Sequence, residues 1–235
     1  MKFERIASLS LGLLVATTSL AAQAEPKKTQ EPASTPKEAA VKTEQSTQLA
    51  FNVNGLTKDN LAKVKESLQT LMSQTFVCEP CHVEQAMAGK CPACKADLTA
   101  KKKAVFQTVT PSAEDSSVKV ILDPSTMVRL SEIESALAKN SVKIDETKLP
   151  IAGKAQLVFK GATADMVPAI EKALKDAKLF DEVKVTHDAA TGEVRAMVRA
   201  AMPPTRAKVA TTLETAGVKA PLSDVIWGPT PKAMG

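Results

Sequence analysis

From Gln48 onward the apolar residues follow two rhythms, and the rhythms come in the same order twice. Gln48 to Val53 alternates with period two, as a half-buried strand does. Leu61, Val64, Leu68 and Leu71 then fall on one face of a helix, with Thr57 or Asp59 placed to cap its free N–H groups. Strand patterns follow around Val105 to Val109 and Val118 to Leu122, joined by a Ser/Glu/Asp turn. A helical pattern on Met127, Leu130, Ile133 and Leu137 and a strand at Val142 to Ile144 complete the first set. The second set has strands near Leu157, Val183, Val194 and Leu222 and helices over 165–178 and 204–216. Pro168 and Pro204 fit the first turns of those helices, where no N–H donor is needed.

The two sets align residue by residue. Gly55-Leu56-Thr57-Lys58-Asp59 matches Gly161-Ala162-Thr163-Ala164-Asp165, and Leu61, Val64 and Leu68 match Val167, Ile170 and Leu174, each 106 residues on. Val118, Ile133, Leu137 and Val142 match Val194, Val209, Leu213 and Val218 at an offset of 76. The drop from 106 to 76 leaves 30 surplus residues in the first copy. A β-α-β-β-α-β unit with antiparallel strands under two helices is ferredoxin-like. The expected fold is therefore α+β, with two tandem ferredoxin-like (βαββαβ) units at 48–149 and 153–229 and a module at 74–103 inserted in the first.

The surplus contains all four cysteines: Cys78-x-x-Cys81-His82, eight residues, then Cys91-Pro92-Ala93-Cys94. Two residues between cysteines let a tight turn aim both sulfurs at one point. Two such knuckles can close a tetrahedron of thiolates about 2.3 Å from one soft cation. Gly89, two residues before Cys91, permits the positive φ that such an approach often needs. Met87 lies inside the loop and could assist a soft ion.

Phe76 to Leu98 resembles the small heavy-metal-binding module that precedes copper efflux pumps and copper-transporting ATPases. That family reads roughly aromatic-x-Cys-Pro-Met-His-Pro, a short loop, then Gly-Lys-Cys-Pro-x-Cys-Gly-Met-x-Leu. The second half is matched by Gly89-Lys90-Cys91-Pro92-Ala93-Cys94-Lys95-Ala96-Asp97-Leu98. In the first half Pro80 and Cys81 replace Met and His, with His82 one place later, and Lys95-Ala96 replaces Gly-Met in the second. The soft Met groups that suit Cu(I) are missing and a fourth thiolate is gained, which shifts the expectation to a zinc-ribbon-like site. Its ligands would be Cys78, Cys81, Cys91 and Cys94, with His82 as a further candidate, and its ion Zn²⁺ or another soft transition metal. The resemblance implies heavy-metal handling, with a metal-efflux or other envelope protein as partner.

The element order and the Gly-x-Thr loops also resemble the heavy-metal-associated domain, whose metal loop reads Gly-Met-Thr-Cys-x-x-Cys. Lys58 and Leu61 stand at those cysteine positions in the first unit, and Ala164 and Val167 in the second. Neither loop can bind a soft cation in that family's manner, so any metal falls to the ribbon.

Two other readings of the cysteines stay open. Cys78-Glu79-Pro80-Cys81-His82 is also the attachment signature of c-type haem, with His82 as axial ligand, which would make a monohaem electron-transfer protein. Cys91 and Cys94 have no part in that site, and aromatic residues are only 3% of the chain, few for a haem pocket. The plainer reading is a pair of disulfides or a metal staple holding a loop, in an adaptor that binds a protein partner.

Residues 1 to 24 read as a secretory signal: Lys2 and Arg5, an apolar run from Ile6 to Val15, and Ala22-Gln23-Ala24 as cleavage site. That run is too short to span a bilayer, so the mature chain is expected to be periplasmic or secreted, without a membrane span. No cysteine follows the cleavage site to take a lipid. Glu25 to Thr47, rich in Lys, Glu, Thr and Pro, is expected to be a disordered linker. The net charge of +5 is spread over a chain that is 24% charged, and Lys101-Lys102-Lys103 has no interleaved aromatics, so no nucleic-acid partner is expected. His187 is expected to be an exposed hairpin residue, or a sixth haem ligand in the haem reading. Met127, Met166 and Met197 should fill core gaps, and Trp227, past the last strand, should cover the edge of the second core. No Ser/His/Asp set, catalytic carboxylate pair or phosphate loop is present, and the chain is not expected to be an enzyme.

Overall fold

The structure, a computed structural model, describes residues 47–86, 88–189 and 191–229. The expected signal, nearly all of the linker and Met87 lie outside the described residues. The described chain is a mixed α/β fold with four α-helices and three antiparallel sheets.

β1 (Gln48–Asn54) turns Leu49, Phe51 and Val53 inward, and α1 (Leu61–Gln69) lays Val64 and Leu68 over them. The residue at the start of α1 is Asn60, not Thr57 or Asp59. Asn60 Oδ1 accepts from Thr57 N–H, so it braces the preceding loop rather than capping the helix. A small sheet follows, of β2 (Met72–Cys78), β3 (Val83–Gln85) and β4 (Thr99–Ala104) in the order β3-β2-β4. Then come β5 (Phe106–Ser112), β6 (Ser117–Leu122), β7 (Val128–Arg129), α2 (Leu130–Ala138) and β8 (Lys143–Ile144). The second half contains β9 (Gly153–Phe159), α3 (Val167–Asp176), β10 (Glu182–Asp188), β11 (Glu193–Ala200), α4 (Arg206–Thr215) and β12 (Leu222–Trp227).

The first large sheet runs β5-β6-β1-β8 and the second β10-β11-β9-β12-β7. Leaving β7 aside and counting the four strands of each half in chain order, both sheets read 2-3-1-4. The positions that repeat in sequence repeat in burial too. Val64, Leu68, Val118, Ile133 and Leu137 are buried, and so are their counterparts Ile170, Leu174, Val194, Val209 and Leu213. Each such side chain contributes about 1.5–3 kcal/mol by leaving water.

The two halves share one hydrophobic cluster. β7, from the first half, adds to the second sheet by pairing Val128 with Trp227 and Arg129 with Ile226. Trp227 therefore does not lie past the last strand at the edge of the second core: it ends β12, fully buried, edge-on to Phe51 of the first half at 6.0 Å. A β-carbon on Gly228 would meet the Thr126 carbonyl at 2.4 Å, and its φ of +132° disfavours L side chains, so only glycine allows this approach. Asp224, buried on β12, accepts from Ser131 N (3.2 Å) and Ser131 Oγ (2.9 Å) and lies 3.6 Å from Arg129. Leu149 O accepts from Arg206 N, and Pro204 O from Ile151 N, both at 2.8 Å. Pro204 thus precedes α4 instead of sitting in its first turn, and Thr205 caps the helix by accepting from Lys208 N. Met127 likewise falls before α2, because the neighbouring residues are drawn into β7.

In the second half the chain passes from α3 to β10 in a few residues. In the first half the small sheet stands between α1 and β5, and its two ends meet: Val105 N donates to Leu71 O at 3.0 Å, and Met72 pairs with Ala104.

Candidate metal centre

β2 carries Cys78 to its last position, where it pairs with Val83 of β3, so Glu79 to His82 must turn tightly. His82 N–H donates back to Glu79 O at 3.2 Å, and His82 takes φ +50°. The second knuckle repeats this shape. Lys95 N–H donates to Cys91 O at 2.9 Å, Cys91 N–H to Ala96 O at 2.8 Å, and Lys95 takes φ +64°. Each Cys-x-x-Cys is thus followed at once by a residue in the left-handed region. The second knuckle is closed below by the Lys90–Asp97 bridge, whose side chains pair at 3.0 Å.

These turns bring the four sulfurs of Cys78, Cys81, Cys91 and Cys94 within 4.8 Å of one another, and Cys78 Sγ lies 3.5 Å from Cys94 Sγ. A regular tetrahedron of thiolates at about 2.3 Å from a zinc ion has edges of about 3.8 Å. The quartet therefore matches the size of a four-thiolate site, and all four cysteines are free of disulfides. Backbone N–H groups point at the sulfurs as well: Cys81 N–H at Cys78, and Cys94 and Ala93 N–H at Cys91.

The same contacts set the acidities without an ion. Cys94 N–H, then Ala93 N–H, stabilise the Cys91 thiolate against burial and lower its pKa to about 7. The Cys94 and Cys78 sulfurs, with burial, push Cys81 up to about 12. At Cys78 the Cys81 N–H favours the thiolate, but burial and the Cys94 and Cys91 sulfurs outweigh it and the pKa is raised. Crowded sulfurs resist further charge, and a cation at their centre would remove that resistance.

No protein-family model matches the chain, and no curated protein matches it. A solved structure does. The water-soluble region of the P-type ATPase CopA from Bacillus subtilis is similar at 15% identity, covering 76% of this chain and 92% of that one, with a TM-score of 0.29. A score that low carries no argument for the site.

His82 is exposed and outside the gathered sulfurs. His187 is exposed on β10, in a different sheet from the cysteines. In the Gly-x-Thr loops Lys58 and Ala164 face solvent, while Leu61 and Val167 pack against the core. Gly55 has a steric reason of its own: at φ +86° its β-carbon would meet Ser141 O at 2.6 Å.

The lysine run at 101–103 lies on β4. On a strand its members alternate sides, so Lys101 and Lys103 point together. Lys101 Nζ donates to Glu79 Oε1 at 2.6 Å and holds the Glu79 carboxyl below its ordinary pKa. Lys103 reaches Glu84 (3.0 Å) on β3 and Asp123 (3.2 Å) after β6, tying the small sheet to the first half. Period-two spacing in a basic strand was the available signal.

Proposed function

We propose that the chain is an exported heavy-metal-binding protein, not an enzyme, that holds one soft transition-metal ion on Cys78, Cys81, Cys91 and Cys94. Zn²⁺ is the ion that four thiolates in a tetrahedron suit best. The observation that carries this reading is the convergence of four sulfurs from two separate turns within 4.8 Å. The protein is then two tandem ferredoxin-like units, 48–149 and 153–229, with a zinc-ribbon-like module at 74–103 inserted in the first. Support comes from the common 2-3-1-4 strand order and from the hydrogen bond that joins the module's ends at Leu71 and Val105. Residues 1–24 act as the export signal, and the site works in the periplasm or outside the cell, with a metal-efflux or other envelope protein as partner.

A second reading makes the ribbon a structural staple in a protein-interaction adaptor. It is favoured by saturation, because four protein thiolates leave no coordination position open.

The test is titration of the reduced full chain with Co²⁺. The expected result is one equivalent bound with the intense thiolate charge-transfer bands of a tetrahedral S₄ site. Bands of fewer sulfurs, or no binding, defeat the proposal. The exported protein should also show no Soret absorption; colour surviving acid–acetone extraction would reinstate a c-type haem on Cys78, Cys81 and His82.

A further inference from the structure

The four sulfurs are unequal in their access to solvent. Cys91 is fully buried and Cys78 nearly so, Cys81 is half-buried, and Cys94 is exposed. The exposed residue also reaches across to the opposite knuckle, where Cys94 Sγ lies 3.5 Å from Cys78 Sγ. A disulfide-bearing oxidant can therefore meet Cys94 first, and the resulting adduct has a second sulfur beside it that the oxidant cannot reach as easily.

Within the second knuckle the geometry is less favourable to bond formation. Cys91 receives the N–H groups of Ala93 and Cys94 and has no exposed surface, so turning it toward an adduct on Cys94 breaks those bonds. Cys78 gives up one N–H contact, from Cys81, and starts from the far side of the cluster, facing Cys94.

We propose that the quartet is a thiol–disulfide switch, with Cys94 as the residue that captures a disulfide oxidant and Cys78 as the residue that resolves it. The Cys94 thiolate attacks one sulfur of an external disulfide RSSR; the Cys94–S–S–R bond forms, the RS–SR bond breaks, and RS⁻ leaves. The Cys78 thiolate then attacks Cys94 Sγ; the Cys78–Cys94 bond forms and the second RS⁻ leaves. Two protein thiolates have lost two electrons and the external disulfide has gained them, and the departing thiolates take up protons from water. The cross-knuckle bond removes two of four ligands, so the ion is released. That last consequence rests on the metal reading above, whereas the disulfide does not.

The experiment loads the reduced full chain with Co²⁺, adds oxidised glutathione, and follows the thiolate bands together with disulfide mapping by mass spectrometry. The expected result is loss of one Co²⁺ per chain in step with a Cys78–Cys94 cross-link. In Cys78→Ser the expected product is a stable glutathione adduct on Cys94. Any cross-link other than Cys78–Cys94, including one between Cys81 and Cys94, an adduct first on Cys81 or Cys91, or retention of thiols and metal under oxidant would overturn the proposal. If Cys78→Ser does not fold, the cross-link map of the unmodified chain decides alone. A chain that takes up no Co²⁺ before oxidant is added defeats the metal reading only, and its disulfide map still decides the sulfur chemistry.

Discussion

Replacing Ser73 to Lys102 by a four-residue Gly/Ser loop should leave a folded protein that no longer binds metal. The ends to be joined already meet, since Ser73 pairs with Lys103, Met72 with Ala104, and Val105 N donates to Leu71 O. Shortening the closed loop from 30 residues to four relieves closure entropy by (3/2)RT ln(30/4), about 2 kcal/mol for a flexible chain. Against this, Lys103 loses Glu84, a half-exposed pair that contributes under about 1 kcal/mol, while its contact with Asp123 remains. The buried residues removed, Thr75, Cys78, Ala86 and Cys91, are all outside the main hydrophobic cluster. Stability should therefore change by no more than about 2 kcal/mol, which moves Tm by at most about 4–8 °C in a chain of this size. Calorimetry should show one cooperative transition close to that of the parent, and Co²⁺ titration should show no thiolate bands. An unfolded deletion variant would mean that the small sheet belongs to the core of the first half and that the site cannot be separated from the fold.

Other changes have outcomes of stated size. Lys95→Gly relieves a left-handed residue at φ +64° and should stabilise the module by about 1 kcal/mol, read as slower hydrogen exchange at Leu98 N–H, which is bonded to Gly89 O. Asp224→Ala leaves Ser131 N–H and Oγ without their buried acceptor, so it should cost about 2 kcal/mol and lower Tm by about 4–8 °C. Metal affinity should fall with acid, because ligand thiols must lose their protons. Below pH 7 Cys91 also starts protonated, so the slope of log affinity against pH should steepen there by one, and Cys91→Ser should abolish that steepening.

Much of this architecture is legible in local pattern. Apolar positions at helical spacing on 61–68 and 167–174 become the buried faces of α1 and α3, and the change of offset from 106 to 76 marks where the small sheet stands. The approach of the two sulfurs within each knuckle follows from spacing too, because a two-residue turn can hardly send its cysteines apart; the meeting of the two knuckles does not. What stayed hidden depends on distant parts of the chain. β7 is two residues long and has no period to detect; it exists because Trp227 and Ile226 offer it an edge about a hundred residues on. The same pairing puts Trp227 inside the core and moves the start of α2 past Met127. The positive φ of His82 and Lys95 had only weak signals: histidine enters that region more readily than most residues, and Lys95 stands where the resembled module has glycine.

The small sheet has little apart from its sulfurs to keep it folded. Among the described residues, three strands of seven, three and six residues enclose only Thr75, Cys78, Ala86 and Cys91, none of them a large aliphatic or aromatic side chain. Such a sheet is marginal on its own, so free energy released when a metal binds is largely free energy of folding this segment. Two of its residues, His82 and Lys95, also hold conformations that oppose folding by about 1 kcal/mol each. Removing the ion with a chelator under reducing conditions should therefore open the module and little else. Amides of residues 73–102 should lose protection, while those of β1, β6, β9 and β11, central in their sheets, should exchange as before. Hydrogen exchange read by mass spectrometry on the full chain separates the two regions directly. If protection collapses in β1 and β9 as well, the ion stabilises the whole molecule; if it changes nowhere, the sheet stands without metal and the quartet has no role in holding it.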